Sequence, residues 1–175
     1  MATYSIDPMH SEISFKVKHL MITTVTGLFT KFSASMTSEK DDFSDAAITF
    51  EADINSISTN NEQRDGHLKS DDFFNAAQFP TMRFVSTGLS KKNDSEYALT
   101  GNLTIRDKTH TVSLTAHYAG TVTDPYGQTK VGFEIEGKIN RKDFGLMWSA
   151  TTEAGGVVVS DEVRLQINVQ MVKGA

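Results

Sequence analysis

Residues 10–20, HSEISFKVKHL, alternate as a half-buried strand does. Ile13, Phe15, Val17 and His19 fall on one side, and Glu12, Ser14, Lys16 and Lys18 on the other. The same period of two returns along the chain. AITFEADI (47–54) aligns Ile48, Phe50, Ala52 and Ile54, and TMRFVST (81–87) aligns Met82, Phe84 and Ser86. YALTGNLTI (97–105) aligns Tyr97, Leu99, Gly101, Leu103 and Ile105, and TVSLTAHY (111–118) aligns Val112, Leu114, Ala116 and Tyr118. KVGFEIEGKIN (130–140) carries Val131, Phe133, Ile135, Gly137 and Ile139 on one face, and EVRLQINVQM (162–171) carries Val163, Leu165, Ile167, Val169 and Met171. In VTGLFTKFSASM (25–36) the adjacent Leu28 and Phe29 blur the register, which predicts a bulge near Gly27. The pattern predicts eight strands, each with one apolar face.

The connections between them are short and polar: KKND (91–94), RDKTH (106–110) and DPYG (124–127), the last with Pro at the second turn position. Short connections imply antiparallel neighbours, because parallel strands need long crossovers. Eight such strands hide their apolar faces together in a sandwich or a closed barrel. One interval departs from the pattern. STNNEQRDGHLKSDDFFNAAQFP (58–80) predicts a short helix, opened by a capping box from Thr59 to Glu62 and followed by an aromatic turn over one end of the sheet. A second irregular segment, 141–156, holds the only Trp and is placed to cover an opening. With 175 residues, the chain is expected to form a single domain, 1–175.

A net charge of −5 with no basic block argues against nucleic-acid or anionic-membrane partners. The absence of cysteine removes disulfides, thiolate metal sites and thiol nucleophiles. No apolar run approaches the ~20 residues of a membrane helix. The N-terminus shows no secretory leader pattern, so a cytoplasmic location is expected, or export if the chain is a trimmed mature form. Catalytic motifs are lacking: no G-x-S-x-G, no phosphate-binding loop, no H-E-x-x-H. Histidines 10, 19, 67, 110 and 117 are scattered, and no metal or cofactor is expected. Arg64, Asp65 and His67 share the short helix, which leaves open an enzyme of lipid or quinone metabolism, although anchoring of the helix to the barrel rim explains the trio more simply.

Ala52, Ser86, Gly101, Ala116 and Gly137 sit mid-strand on the apolar side, where a filled core wants bulk. Eight strands lie near the threshold between a packed barrel and one that holds a small ligand. Small residues there either open a cavity or relieve crowding as the sheet coils. A cavity lined this way is apolar. Burying ten methylene equivalents contributes about 8 kcal/mol before association costs, so a long hydrocarbon binds without a dedicated polar site.

YSIDPMHSEISFKVKHL, VTGLFTKF, INSISTNNEQRDGHLKSDDFF, FPTMRFVST, LTGNLTIRDKTHTV and INRKDFGL follow one another as they do in the YceI-like family of polyisoprenoid-binding proteins, which this chain resembles nearly end to end. The resemblance implies an all-β, elongated, lipocalin-like eight-stranded antiparallel barrel with a short helix near one end. It implies an internal tunnel that holds a polyisoprenoid, an isoprenoid quinone or a fatty-acid derivative for transport or storage, no catalytic residues, and a homodimer as one form. Where the family's apolar pattern is matched, the tunnel is expected to be lined by Phe15, Val17, His19, Phe29, Phe50, Ala52, Phe84, Leu99, Gly101, Leu114, Phe133, Ile135, Leu165 and Ile167.

Overall fold

Pro8 interrupts the first run of alternation, and the chain uses the interruption. Asp7 Oδ1 accepts from Met9 N at 3.0 Å and caps a three-residue 3-10 turn, Pro8–His10. The turn separates β1 (Ala2–Ile6) from β2 (Glu12–His19) in the computed structural model, which describes residues 1–150 and 158–174. The two segments run end to end along one edge of β11 (Val159–Lys173), with Tyr4 opposite Lys173 and Ile13 opposite Ile167. On their other side lie β3 (Thr23–Phe29) and β4 (Phe32–Ser38), again end to end, with Phe15 opposite Gly27 and Ser5 opposite Ser35. Next come β5 (Ala47–Asp53) against β4, and β6 (Ile57–Ser58) against β3.

Each of these broken pairs acts as one strand, so the wall has the eight strands that the alternation predicts. The circuit continues through β7 (Thr81–Lys91), β8 (Glu96–Ile105), β9 (Lys108–Thr123) and β10 (Thr129–Asn140) to β11. Every pairing is antiparallel, and β1 closes the ring by bonding β4 on one edge and β11 on the other.

Two local expectations need correction. Gly27 carries no bulge: the β2–β3 ladder is continuous from Ile13–Phe29 to His19–Thr23. The ambiguity at Leu28–Phe29 instead precedes a break at Thr30–Lys31, where Thr30 N donates to Ser56 O and Asp53 N donates to Lys31 O. Across the break the cavity-facing positions change from Val25 and Phe29 to Ala34 and Met36. Register shifts occur elsewhere, at Ser86–Gly88, Gly132–Phe133 and Val159–Val163. The helix α1 (Glu62–Lys69) forms as expected, but Asn61 caps it, with Oδ1 accepting from Arg64 N at 3.0 Å. Thr59 is buried and bonds to Asp65 and Arg64 instead.

The two ends of the barrel differ. At one, Phe43 from the 39–46 loop plugs the interior edge-on to Tyr4 and Phe133, with ring centroids 5.8 and 5.7 Å apart. At the other, α1 and the aromatic turn after it lie across the opening. Arg106, between β8 and β9, holds that turn in place: Nη1 donates to the carbonyls of Asp71, Phe73 and Gly145, and Nη2 pairs with Asp71 Oδ1 at 2.9 Å. A 3-10 turn, Arg141–Phe144, ends at Gly145 in the left-handed region (φ 81°) and leads to Trp148. The segment expected to cover an opening, 141–156, does so as far as Trp148; residues 151–156 lie outside the described residues.

Candidate ligand-binding tunnel

The apolar stripes enclose a cavity of about 360 Å³, within the usual range of small-molecule sites. Along β11 its lining runs from Val159 to Met171. At about 3.4 Å per residue and a strand tilt of roughly 40°, that corresponds to about 30 Å along the barrel axis. Aliphatic side chains and phenyl rings make up nearly all of the wall, including Phe15, Phe50, Phe84 and Phe133.

All the residues expected to line the tunnel do so except Ala52 and Gly101. Ala52 is buried in the wall, and the space above Gly101 is taken by the Phe84 ring. Gly27 is covered in the same way by Phe15, and Gly137 by Leu114. The glycines are thus not holes. Each lets a large neighbour lie flat against the wall, which keeps the axis clear and faces it with ring and methyl surface.

Polar atoms gather at the α1 end. Lys18, His19, Thr59, Arg64, His67 and Arg141 all border the cavity there. His19, the end of the first apolar stripe, is exposed at the rim. Arg64 donates from Nε to Thr59 Oγ1 and from Nη2 to Thr59 O, both at 2.7 Å, while Asp65 Oδ1 accepts from Thr59 Oγ1 at 2.6 Å. His67 Nε2 lies 2.8 Å from Asp72 Oδ2, with its ring edge-on to Trp148. The trio considered for acid–base chemistry is therefore engaged in fastening the helix to the rim.

Arg141 escaped the alternation argument because it follows a strand rather than lying on a stripe. It is 3% exposed, and its guanidinium donates to Ser160 O at 2.9 Å and Leu146 O at 2.6 Å. Burial pushes its pKa down, and Asp161 at 3.5 Å, itself half exposed, works against that. It remains a cation. Trp148, Phe73 and Phe74 border the same end. The aromatic run and the lone Trp were their only sequence signals. Among the described residues no group of three or more His, Asp or Glu is arranged to hold a metal ion, and no helix is long and apolar enough to cross a membrane.

The pattern that defines the YceI-like domain matches residues 4–171. A protein called YceI from Salmonella newport is 38% identical over 174 residues, 98% of this chain and 87% of its own length. Among solved structures, a YceI protein of Campylobacter jejuni matches with a TM-score of 0.78 at 33% identity over 90% of both chains. A polyisoprenoid binding domain from Saccharophagus degradans, implicated in plant cell wall breakdown, matches with a TM-score of 0.70 over 96% of this chain and 97% of its own. At 16% identity that likeness shows the barrel fold alone.

Proposed function

This chain belongs to the YceI-like family, and from that premise we propose that it binds a long-chain amphiphile in its tunnel and carries or stores it. A polyisoprenoid, an isoprenoid quinone or a fatty-acid derivative fits the chemistry. The observation that carries the proposal is the lining itself: an elongated lumen whose wall offers a hydrocarbon burial along its length and gathers its charged head-group partners at the α1 end. Ser14 is a polar side chain on the wall between. The tail points toward Phe43, and the head rests beside His19, Lys18 and Arg64. A polyisoprenoid binding domain is built on the same barrel, so the fold is one that accommodates a ligand of this class.

An enzymatic role is not proposed. Arg64, Asp65 and His67 are each tied to a structural partner, and the Thr59 hydroxyl that meets Asp65 belongs to that same anchoring. The whole of 1–175 acts as one binding domain.

Native mass spectrometry of gently purified protein tests the proposal. The expected result is mass in excess of the 19.3 kDa chain, released on denaturation and identified as a hydrocarbon amphiphile after organic extraction. Ala116, on the lumen wall, supplies the companion variant: Ala116→Leu narrows the tunnel and lowers loading severalfold while the fold persists. Protein that is repeatedly empty and takes up no added polyprenyl or fatty-acyl compound overturns the proposal, as does undiminished loading of the narrowed variant.

A further inference from the structure

The turn between β2 and β3 is built against local preference. Ile22 N donates to His19 O at 3.2 Å, so Leu20 and Met21 are the central residues of a tight turn, with φ of 54° and 60°. Two successive left-handed positions in a hairpin turn favour Asn and Gly; larger side chains raise its energy. Here they carry Leu and Met, followed by Ile. All three side chains are exposed, by 38%, 58% and 78%. They therefore recover little inside the molecule for the strain they bring. An exposed apolar cluster on a strained turn is a functional signal.

Its surroundings specify the partner. Leu20 N donates to Val158 O, and Val158 N donates to Ala150 O, which places the tip beside the segment that carries Met147, another exposed apolar side chain. The strands below the tip border the tunnel through Val17, Lys18, His19 and Val25. In a chain with 22 acidic residues and a net charge of −5, none lies between Ile13 and Ser38, while Lys16, Lys18 and Lys31 do. Among the described residues Lys16 and Lys18 make no ion pair, and Lys18 Nζ donates only to Thr24 Oγ1. The nearest carboxylates on the adjoining strand are engaged, Asp161 with Lys142 and Glu162 with Lys138. Apolar tip, cationic stem and tunnel mouth share one end of the barrel.

We propose that this hairpin is a membrane-docking element. Leu20, Met21 and Ile22 enter the interfacial layer of a bilayer, Lys16 and Lys18 lie against anionic head groups, and the mouth is set down on lipid. Apolar side chains and juxtamembrane lysines each add to such binding, and the lysine contribution depends on anionic lipid. Docking also removes an obstacle to exchange, because a hydrocarbon leaving the tunnel passes into lipid without crossing water. The local charge revises the expectation, drawn from net charge alone, that an anionic membrane is not a partner.

Flotation of the full chain with vesicles of phosphatidylcholine, with and without phosphatidylglycerol, tests the proposal. Binding is expected with phosphatidylglycerol and weak without it, and to fall as salt rises. Leu20→Asn with Met21→Gly and Ile22→Ser suits the turn better, so the protein melts no lower while vesicle binding drops about tenfold. Lys16→Glu with Lys18→Glu abolishes the preference for anionic vesicles. Val122→Ser with Tyr126→Ser, exposed at the opposite end, leaves binding unchanged. Absence of flotation with either vesicle overturns the proposal, as does binding that survives the tip variant or is lost equally in the opposite-end control. A dimer in sedimentation that the tip variant disperses, with no vesicle binding by either form, overturns it in favour of self-association. Flotation is read whatever the tunnel holds, so docking and tunnel binding succeed or fail separately.

Discussion

A Cβ added at Gly27, Gly101 or Gly137 would overlap Phe15, Phe84 or Leu114 respectively. Each small residue is thus half of a pair whose other half lies on a neighbouring strand, and a stripe read one strand at a time shows only the gap. Side-chain identity was legible; the partner that fills the space was not. Asp45 makes a similar point at the closed end. Its carboxylate accepts from Ser38 Oγ at 2.7 Å and from the amides of Glu39 and Lys40, which holds its pKa down to about 2. A carboxyl depressed in the folded state stabilises above its unfolded value, near 3.8, and loses that contribution as pH falls toward 2. Asp45→Asn should therefore lower the melting temperature at neutral pH, with the difference shrinking below about pH 4 and gone only below about pH 2. Melting curves across that range check it; a difference independent of pH would mean that the loop around Phe43 is held by something other than this charge.

Helix α1 is eight residues long and buries none of them, well short of the ~12–15 residues at which isolated helices become marginal in water. Its hold on the barrel comes from Thr59, whose amide and hydroxyl both donate to Asp65 Oδ1, at 2.8 and 2.6 Å. Asp65→Ala strands those donors in a buried position, a cost of about 1–3 kcal/mol. Amide exchange over 62–69 should then speed up by tenfold or more, and bound ligand should leave faster. Exchange equal to that of the unaltered protein would count against the helix as a tethered cover. The existence of the helix was legible from composition and turn signals. Its cap was not, because Thr59 and Glu62 fit a capping box as well as Asn61 fits a simple cap, and only the burial of Thr59 separates the two. The β1 segment escaped notice for a related reason: Pro8 and the change of phase after it hide the continuity of β1 with β2.

The barrel owes its closure to five residues at the N-terminus. β1 bonds β4 through Ala2–Ser5 and β11 through Tyr4–Ile6, and Gly174 N adds a bond to Thr3 O at 2.7 Å. Deletion of residues 1–6 leaves the edge of β4 and the Met171–Lys173 end of β11 unpaired, and exposed edges template association between chains. The truncated protein is expected to melt lower and to aggregate, as light scattering on heating would show; a monomer of undiminished stability would mean that the ring closes without β1. By itself the sequence determined the all-β character, the eight strands, the inward face of most of them and the covered end, because period-two alternation and turn chemistry are local properties of the chain. Tertiary structure alone decided whether that inward face was filled or hollow, which glycines were occupied by a neighbour's ring, and that the tunnel's rim, the apolar hairpin tip and the acid-free stem meet at one end. Those outcomes depend on register and closure, which set side chains from distant strands against one another and have no counterpart in any single segment.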